Sequence, residues 1–364
     1  MDRTYQHIFT PLTIRGITLK NRIEIAPISV FDLDTTPERH PSERDMQFFR
    51  MRAMGGAAVV TLGDCIVDPS GEDSGKLASP KILAGHEDNL PFLTRIADEI
   101  HRYGAVASIE LNHAGMLRAS AGVQAWGPDY INFDETKTIA PLSDQSASDE
   151  PVYRKGEVLF MTEEMIETVV DAFGRAAERA KTCGFEMAMI HAGHGWLIHQ
   201  FLSPLTNHRT DEFGGSAENR FRFAGECLSA IRQAVGKDYP ILVKVNTNCA
   251  GEADEAYAQD ILYFCRQFEA LGADAIELSG YNWLGLGKKK VPTFYLDRAV
   301  QIRQAVSIPL ILVGGVRGPE TAQQILDAGI DFVSASRPFI CQPDFVRHLE
   351  QGEDSPCVGC TKCL

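Results

Sequence analysis

The sequence predicts a (β/α)8 TIM barrel. Three observations carry this: eight short β-branched runs alternate with longer amphipathic stretches, several runs are apolar on both faces, and polar or glycine-rich residues follow the runs. In chain order the runs are RIEIAPIS from Arg22, AAVVTLGD from Ala57, VASIELNH from Val106, FEMAMIHA from Phe185, ILVKVNTN from Ile241, AIELSG from Ala275, PLILVGG from Pro309 and DFVSAS from Asp331. A strand covered by helices outside and by packed side chains inside has no solvent face, which explains the continuous apolar character. Ahead of the first run, IFTPLTIRGITLKNR reads as an N-terminal β-hairpin turning near Arg15 and Gly16, placed to plug the barrel floor. After the third run a long polar insertion, roughly Ser120 to Lys155, reads as a loop over the active face. One helix is especially clear. Thr162 caps it and Glu163 and Glu164 suit its first turn. Met165, Ile166, Val169, Val170, Phe173, Ala176, Ala177 and Ala180 form an apolar stripe that ends at Gly184.

No break in composition divides the chain, so residues 1–354 are expected to form one barrel, with 355–364 as a cysteine-rich tail. Hydrophobic content of 44% and charged content of 23% are those of an ordinary globular protein. A net charge of −14 disfavours a phosphate backbone as partner, so nucleic acid is not expected. No apolar run reaches membrane-spanning length, and the opening MDRTYQHIFTPL has no hydrophobic signal core, so a cytoplasmic protein without a membrane partner is expected. Six of the nine cysteines are scattered singly, as reduced buried thiols usually are. Oligomeric state is left open, a homo-oligomer included.

In a barrel of parallel strands the chemistry sits at the strand C-termini. Those ends offer Pro27 and Ser29, Gly63 and Asp64, Glu110 and Asn112, His191 and His194, Lys244 and Asn246, Ser279 and Gly280, Gly314 and Gly315, then Ser336 and Arg337. Gly314 and Gly315 let the backbone approach a ligand, and Arg337 supplies a fork of donors where barrels commonly hold phosphate. His191 and His194 read as paired N–H donors for a substrate oxygen. Buried structural histidines or a zinc site are the rival readings, and no third ligand follows at metal spacing. Lys244 can also be read as the Schiff-base nucleophile of a phosphate-binding lyase that needs no redox cofactor.

Taken together, LKNRIEIAPIS, IELNHAG, GHGWLIHQFLSP and FVSASRPFI resemble the Old Yellow Enzyme family of FMN-dependent ene reductases over nearly the whole chain. The resemblance implies FMN as cofactor and NADH or NADPH as hydride donor. It also implies reduction, through flavin N5, of the C=C bond of an α,β-unsaturated carbonyl or carboxylate compound. It places Pro27, Ser29 and Gly63 against the isoalloxazine, Lys244 at its N1/O2 edge, and Gly314, Gly315, Ser336 and Arg337 at the phosphate. Trp196 and Phe31 are expected to wall the pocket of a small-molecule alkene. Two residues depart from the family pattern. Trp196 stands where a proton-donating tyrosine is usual, and an indole N–H is no useful acid. Glu110 stands where many relatives have glutamine, so it either accepts from flavin N3–H or forms an ion pair. Tyr281, in SGYNWLG beyond the sixth run, is the candidate replacement acid.

The tail SPCVGCTKCL resembles the start of an iron–sulfur motif in larger relatives, with Cys357, Cys360 and Cys363 as three of the usual four ligands. With no fourth ligand before Leu364, the motif reads as truncated or vestigial, and zinc is an alternative. No G-x-G-x-x-G follows a strand, so a pyridine nucleotide would use the substrate's own site in alternation. The rival from another class is a flavin-binding electron-transfer module within a larger assembly.

Overall fold

The computed structural model describes residues 3–28, 41–71, 87–118, 124–132, 156–249, 254–360 and 362–363. All eight predicted runs are strands. After the hairpin strands β1 (Leu12–Ile14) and β2 (Ile17–Leu19) come β3 (Ile23–Ile28), β4 (Val59–Ile66) and β5 (Val106–Asn112). Three short strands, β6 (Ala125–Gly127), β7 (Ile131–Asn132) and β8 (Glu157–Phe160), precede β9 (Met187–Ala192), β10 (Ile241–Asn246), β11 (Ala275–Ser279), β12 (Leu310–Val313) and β13 (Phe332–Ala335). The eight long runs pair in parallel and close, β13 returning to β3.

Helices cover the outside. They are α1 (Glu43–Met54), α2 (Leu90–His101), α3 (Glu163–Thr182), α4 (Leu197–Leu202), α5 (Ala217–Val235), α6 (Asp254–Ala270), α7 (Trp283–Lys288), α8 (Leu296–Arg303), α9 (Pro319–Asp327), α10 (Arg337–Cys341) and α11 (Phe345–Gln351). Among the described residues no helix is long and apolar enough to cross a membrane. Helix α3 forms as its sequence dictates: the Thr162 hydroxyl accepts the Met165 N–H, and Ile166, Val169, Phe173, Ala176, Ala177 and Ala180 are buried.

The hairpin turns through Arg15 and Gly16, both at positive φ, as a two-residue turn between twisted strands requires. Its Ile14 and Leu19 pack with Val59, Met187, Leu242, Ala275, Ile311 and Phe332. These come from separate barrel strands, so the hairpin plugs the floor and leaves the other end for ligands.

The insertion is not all loop. Residues 124–132 form β6 and β7, which pair with β8 in a three-stranded sheet, while 119–123 and 133–155 lie outside the described residues. Ala125 and Val158 bury against Met116, Leu117 and Trp196. Strands this short, set in polar sequence, carry too few side chains to show a period.

Leu19 is 1% exposed in a closed-packed floor. Leu19→Ala is expected to cost about 2–5 kcal/mol of stability in denaturant titration, whereas Thr18→Ala on the exposed face of the same strand stays within about 0.5 kcal/mol.

Candidate active site

The pleat places the functional side chains. Met187, Leu242, Ala275 and Phe332 point into the floor, so residues two and four further on repeat that inward direction. This turns His191 on β9, Lys244 and Asn246 on β10, Glu277 and Ser279 on β11, and Ser334 on β13 toward the interior. His191 pairs with Lys244 and Lys244 with Glu277 in register, so three ionisable groups stand abreast on adjacent strands.

Lys244 is the hub. Its Nζ lies 2.9 Å from Glu277 Oε1 and 3.7 Å from Glu110 Oε1, with all three side chains buried. Burial opposes the ammonium charge, yet Glu277 and Glu110 outweigh it and hold the lysine above its ordinary value. A lysine kept charged is not the free amine that Schiff-base chemistry requires, so the lyase reading loses its nucleophile. Glu110 thus makes the ion-pair contact left open by the sequence, and it also lines the cavity.

His194 leaves the strand at φ 56, in the left-handed region, followed by Gly195 at φ 78. Its N–H donates to Asn246 Oδ1 at 3.1 Å. Gly193 N–H lies 3.4 Å from His191 Nδ1, which leaves His191 Nε2 as the N–H facing His194 Nδ1 at 3.3 Å. His194 Nε2–H then meets Ser279 Oγ at 2.8 Å. Burial, reinforced by Lys244 and His199, drives His194 well below the usual histidine range, so it is neutral at neutral pH. Helix α4 fixes this corner. The Gln200 amide donates to Gly195 O (2.7 Å) and Ala114 O (3.1 Å) and accepts from Met116 N (3.0 Å), and every residue of the helix is buried. His199 belongs to this helix.

Pro27, Glu110, His191, His194, Trp196, Lys244, Gly314, Gly315, Ser336, Arg337 and Cys357 all line one cavity at the open end of the barrel. Gly63 stands behind it: a Cβ there would lie 2.5 Å from Pro27 Cβ. Ser29 and Phe31 lie outside the described residues. The side chain of Tyr281 is not among the cavity-lining groups. Its main chain is, however, an anchor, since Tyr295 Oη donates to Tyr281 O at 2.9 Å and Tyr295 does line the cavity. Cys360 is exposed and Cys363 half-buried, and among the described residues no three His, Cys, Asp or Glu side chains gather as metal ligands.

A model of the NADH:flavin oxidoreductase / NADH oxidase family matches residues 7–355. The chain belongs to this family. The chain is 34% identical, over 98% of its length, to a metal reductase of Desulforamulus reducens, of which it spans 51%. It is 30% identical to the NADPH dehydrogenase of Bacillus subtilis, with 93% of each chain covered. In structure it resembles the old yellow enzyme homologue from Zymomonas mobilis, with a TM-score of 0.76 at 23% identity over 94% of this chain and 92% of that one. The chain thus spans about half the length of the metal reductase and nearly all of the NADPH dehydrogenase.

As a member of this family the protein is an FMN-dependent oxidoreductase with NAD(P)H as electron donor. The cavity fits that cofactor on its own chemistry. Arg337 Nη1 is buried and has no hydrogen-bond partner among the described residues, a cost that an anion at the cavity's end would remove. Arg317, whose role the sequence did not suggest, also lines this end and donates from Nη1 to Cys357 O at 2.6 Å. Its position two residues beyond the glycine pair was the available signal. Gly314 and Gly315 hold positive φ (121 and 74), and their bare backbone accommodates the 291–294 segment as well as the cavity. Trp283, Val291 and Phe294, which complete the wall, follow no readable motif.

Arg337→Ala is expected to remove about 1.5–3 kcal/mol of charge-assisted bonding and weaken FMN binding roughly tenfold to a hundredfold. Fluorescence titration of FMN into flavin-free protein checks this, and an unchanged Kd removes Arg337 from the phosphate site.

Proposed function

We propose that this barrel reduces an electron-poor C=C bond conjugated to a carbonyl or carboxylate. The observation that carries the reading is the chain of donors from His191 through His194 to Ser279, set beside a charged Lys244 in one cavity. The chemistry supplied by bound FMN is hydride transfer from NADH or NADPH to the electron-poor carbon. A substrate oxygen at the histidines takes the His194 Nε2–H now given to Ser279, and the neutral His194 imidazole polarises the alkene by donation without adding a charge. Lys244, held charged by Glu277, would sit at the flavin's electron-rich edge. Pro27 and Gly63 would support the ring, with Glu110 at its pyrimidine end, and Ser336, Arg337, Gly314 and Gly315 would hold the phosphate.

Trp196 is 4% exposed, with its ring 6.1 Å from that of His191. It walls the substrate side with apolar surface and excludes water, but it supplies no proton. The NADPH dehydrogenase name borne by a relative of matching length supports the choice of donor.

Changing His191 and His194 together to alanine should leave the flavin reducible by NAD(P)H and weaken phenolic ligands by about 1–3 kcal/mol, the worth of the oxygen's bond to His194 with its support from His191. Titration of the ligand's charge-transfer band reads this directly, and an undiminished band contradicts the oxygen-gripping role. Tyr281→Phe should leave reoxidation by alkene unchanged in stopped-flow, because the cavity lies against Tyr295 and not the Tyr281 ring. A slowing of tenfold or more would make the Tyr281 phenol the acid.

A further inference from the structure

Behind the cavity wall the barrel buries a second carboxyl, Glu24, opposite the Glu277 that holds Lys244. Glu24 on β3 (1% exposed) stands in register beside Ser334, whose Oγ donates to Glu277 on β11 (0% exposed) at 3.2 Å, so the two buried carboxyls face each other across the interior. Two bare carboxylates facing each other in a buried interior repel, which favours one shared proton between them. Glu277 also faces Lys244 Nζ at 2.9 Å. The negative charge therefore resides on Glu277 and the proton on Glu24. Burial first, then the Glu277 charge, hold Glu24 well above the ordinary carboxyl range. Lys244 from β10, Ser334 from β13 and, through Lys244, Glu110 from β5 are the charged or polar groups that face the pair.

We propose that Glu24 and Glu277 form a proton store for the reaction, taking up one proton from solvent when electrons enter the cavity and releasing it as product forms. Negative charge arriving beside Lys244 competes with Glu277 for the ammonium field. The Glu277 carboxylate, relieved of that field in a water-poor interior, is then the group that protonates. The balance is complete. One C–H bond of the dihydronicotinamide breaks and its hydrogen leaves with two electrons, while one proton enters the pair. Two C–H bonds then form on the alkene, one from that hydrogen and one from the stored proton. A line of exchangeable groups leads outward from Glu277 to Lys244 (2.9 Å), Glu110 (3.7 Å) and His191 (3.9 Å), the last two contacts closing by small side-chain shifts. The inference rests on the proposed alkene reduction only for the proton's destination.

Redox-difference infrared spectroscopy of the FMN-loaded protein tests the store. Reduction of the wild type should produce a new protonated-carboxyl band that shifts in D2O, and the Glu24→Gln/Glu277→Gln double variant should lack it. Proton uptake, read with an indicator dye in weak buffer, should be one proton per two electrons greater in the wild type than in the double variant. Absence of the band in the wild type overturns the proposal even if the variant does not fold, and equal proton counts do the same. Both readings use chemical reduction without alkene, so failure of the alkene-reductase reading would appear separately, as reduced protein that no conjugated alkene reoxidises.

Discussion

A single buried ammonium organises the upper half of this barrel. Lys244 sits in an interior that would ordinarily neutralise it, and it stays charged because Glu277 and Glu110 surround it. Burying such a group is costly, and removal of one partner would strand the others without compensation. The cost is met by geometry: register puts Lys244 between His191 and Glu277, so the charges come together as the sheet closes. A fixed, buried positive charge at the top of the barrel then provides what an electron-accepting cofactor needs, a site where negative charge can accumulate.

The two ends of the barrel divide the labour. At the floor the hairpin fills the interior with apolar side chains and seals it from water. At the top, loops and short helices hold polar groups at set distances, and α4 does so from a fully buried position. Rigidity below is the condition for accuracy above: two histidines in hydrogen-bond sequence with Ser279 can meet a substrate oxygen only if β9 and β11 do not shift.

Much of this was legible in the sequence. The eight strands show themselves because each is buried on both faces, and α3 because its cap, charges and stripe agree. That His191, His194, Lys244 and Arg337 would meet at one cavity was visible because such side chains at strand ends have few structural uses. The carboxyl pair was not. Glu24 is a lone acid within the apolar run RIEIAP, and Glu277 lies 253 residues further on. Only closure of the barrel shows that both point inward, toward Ser334. Arg317, Tyr295 and Phe294 were hidden for a related reason, since the loops that carry them have no period and meet the cavity through tertiary packing. Tyr281 shows the converse, a residue at a plausible place in the chain whose ring the fold does not bring to the cavity.

The central claim is that this cavity passes hydride to a conjugated alkene. Anaerobic reduction of the FMN-loaded protein with NADPH deuterated at the transferred position, followed by single additions of conjugated enones and enoates, tests it most directly. The account predicts that at least one such alkene reoxidises the flavin and carries the deuterium on its β carbon. Reoxidation by quinones or ferric complexes alone, with every conjugated alkene recovered unlabelled, would contradict it.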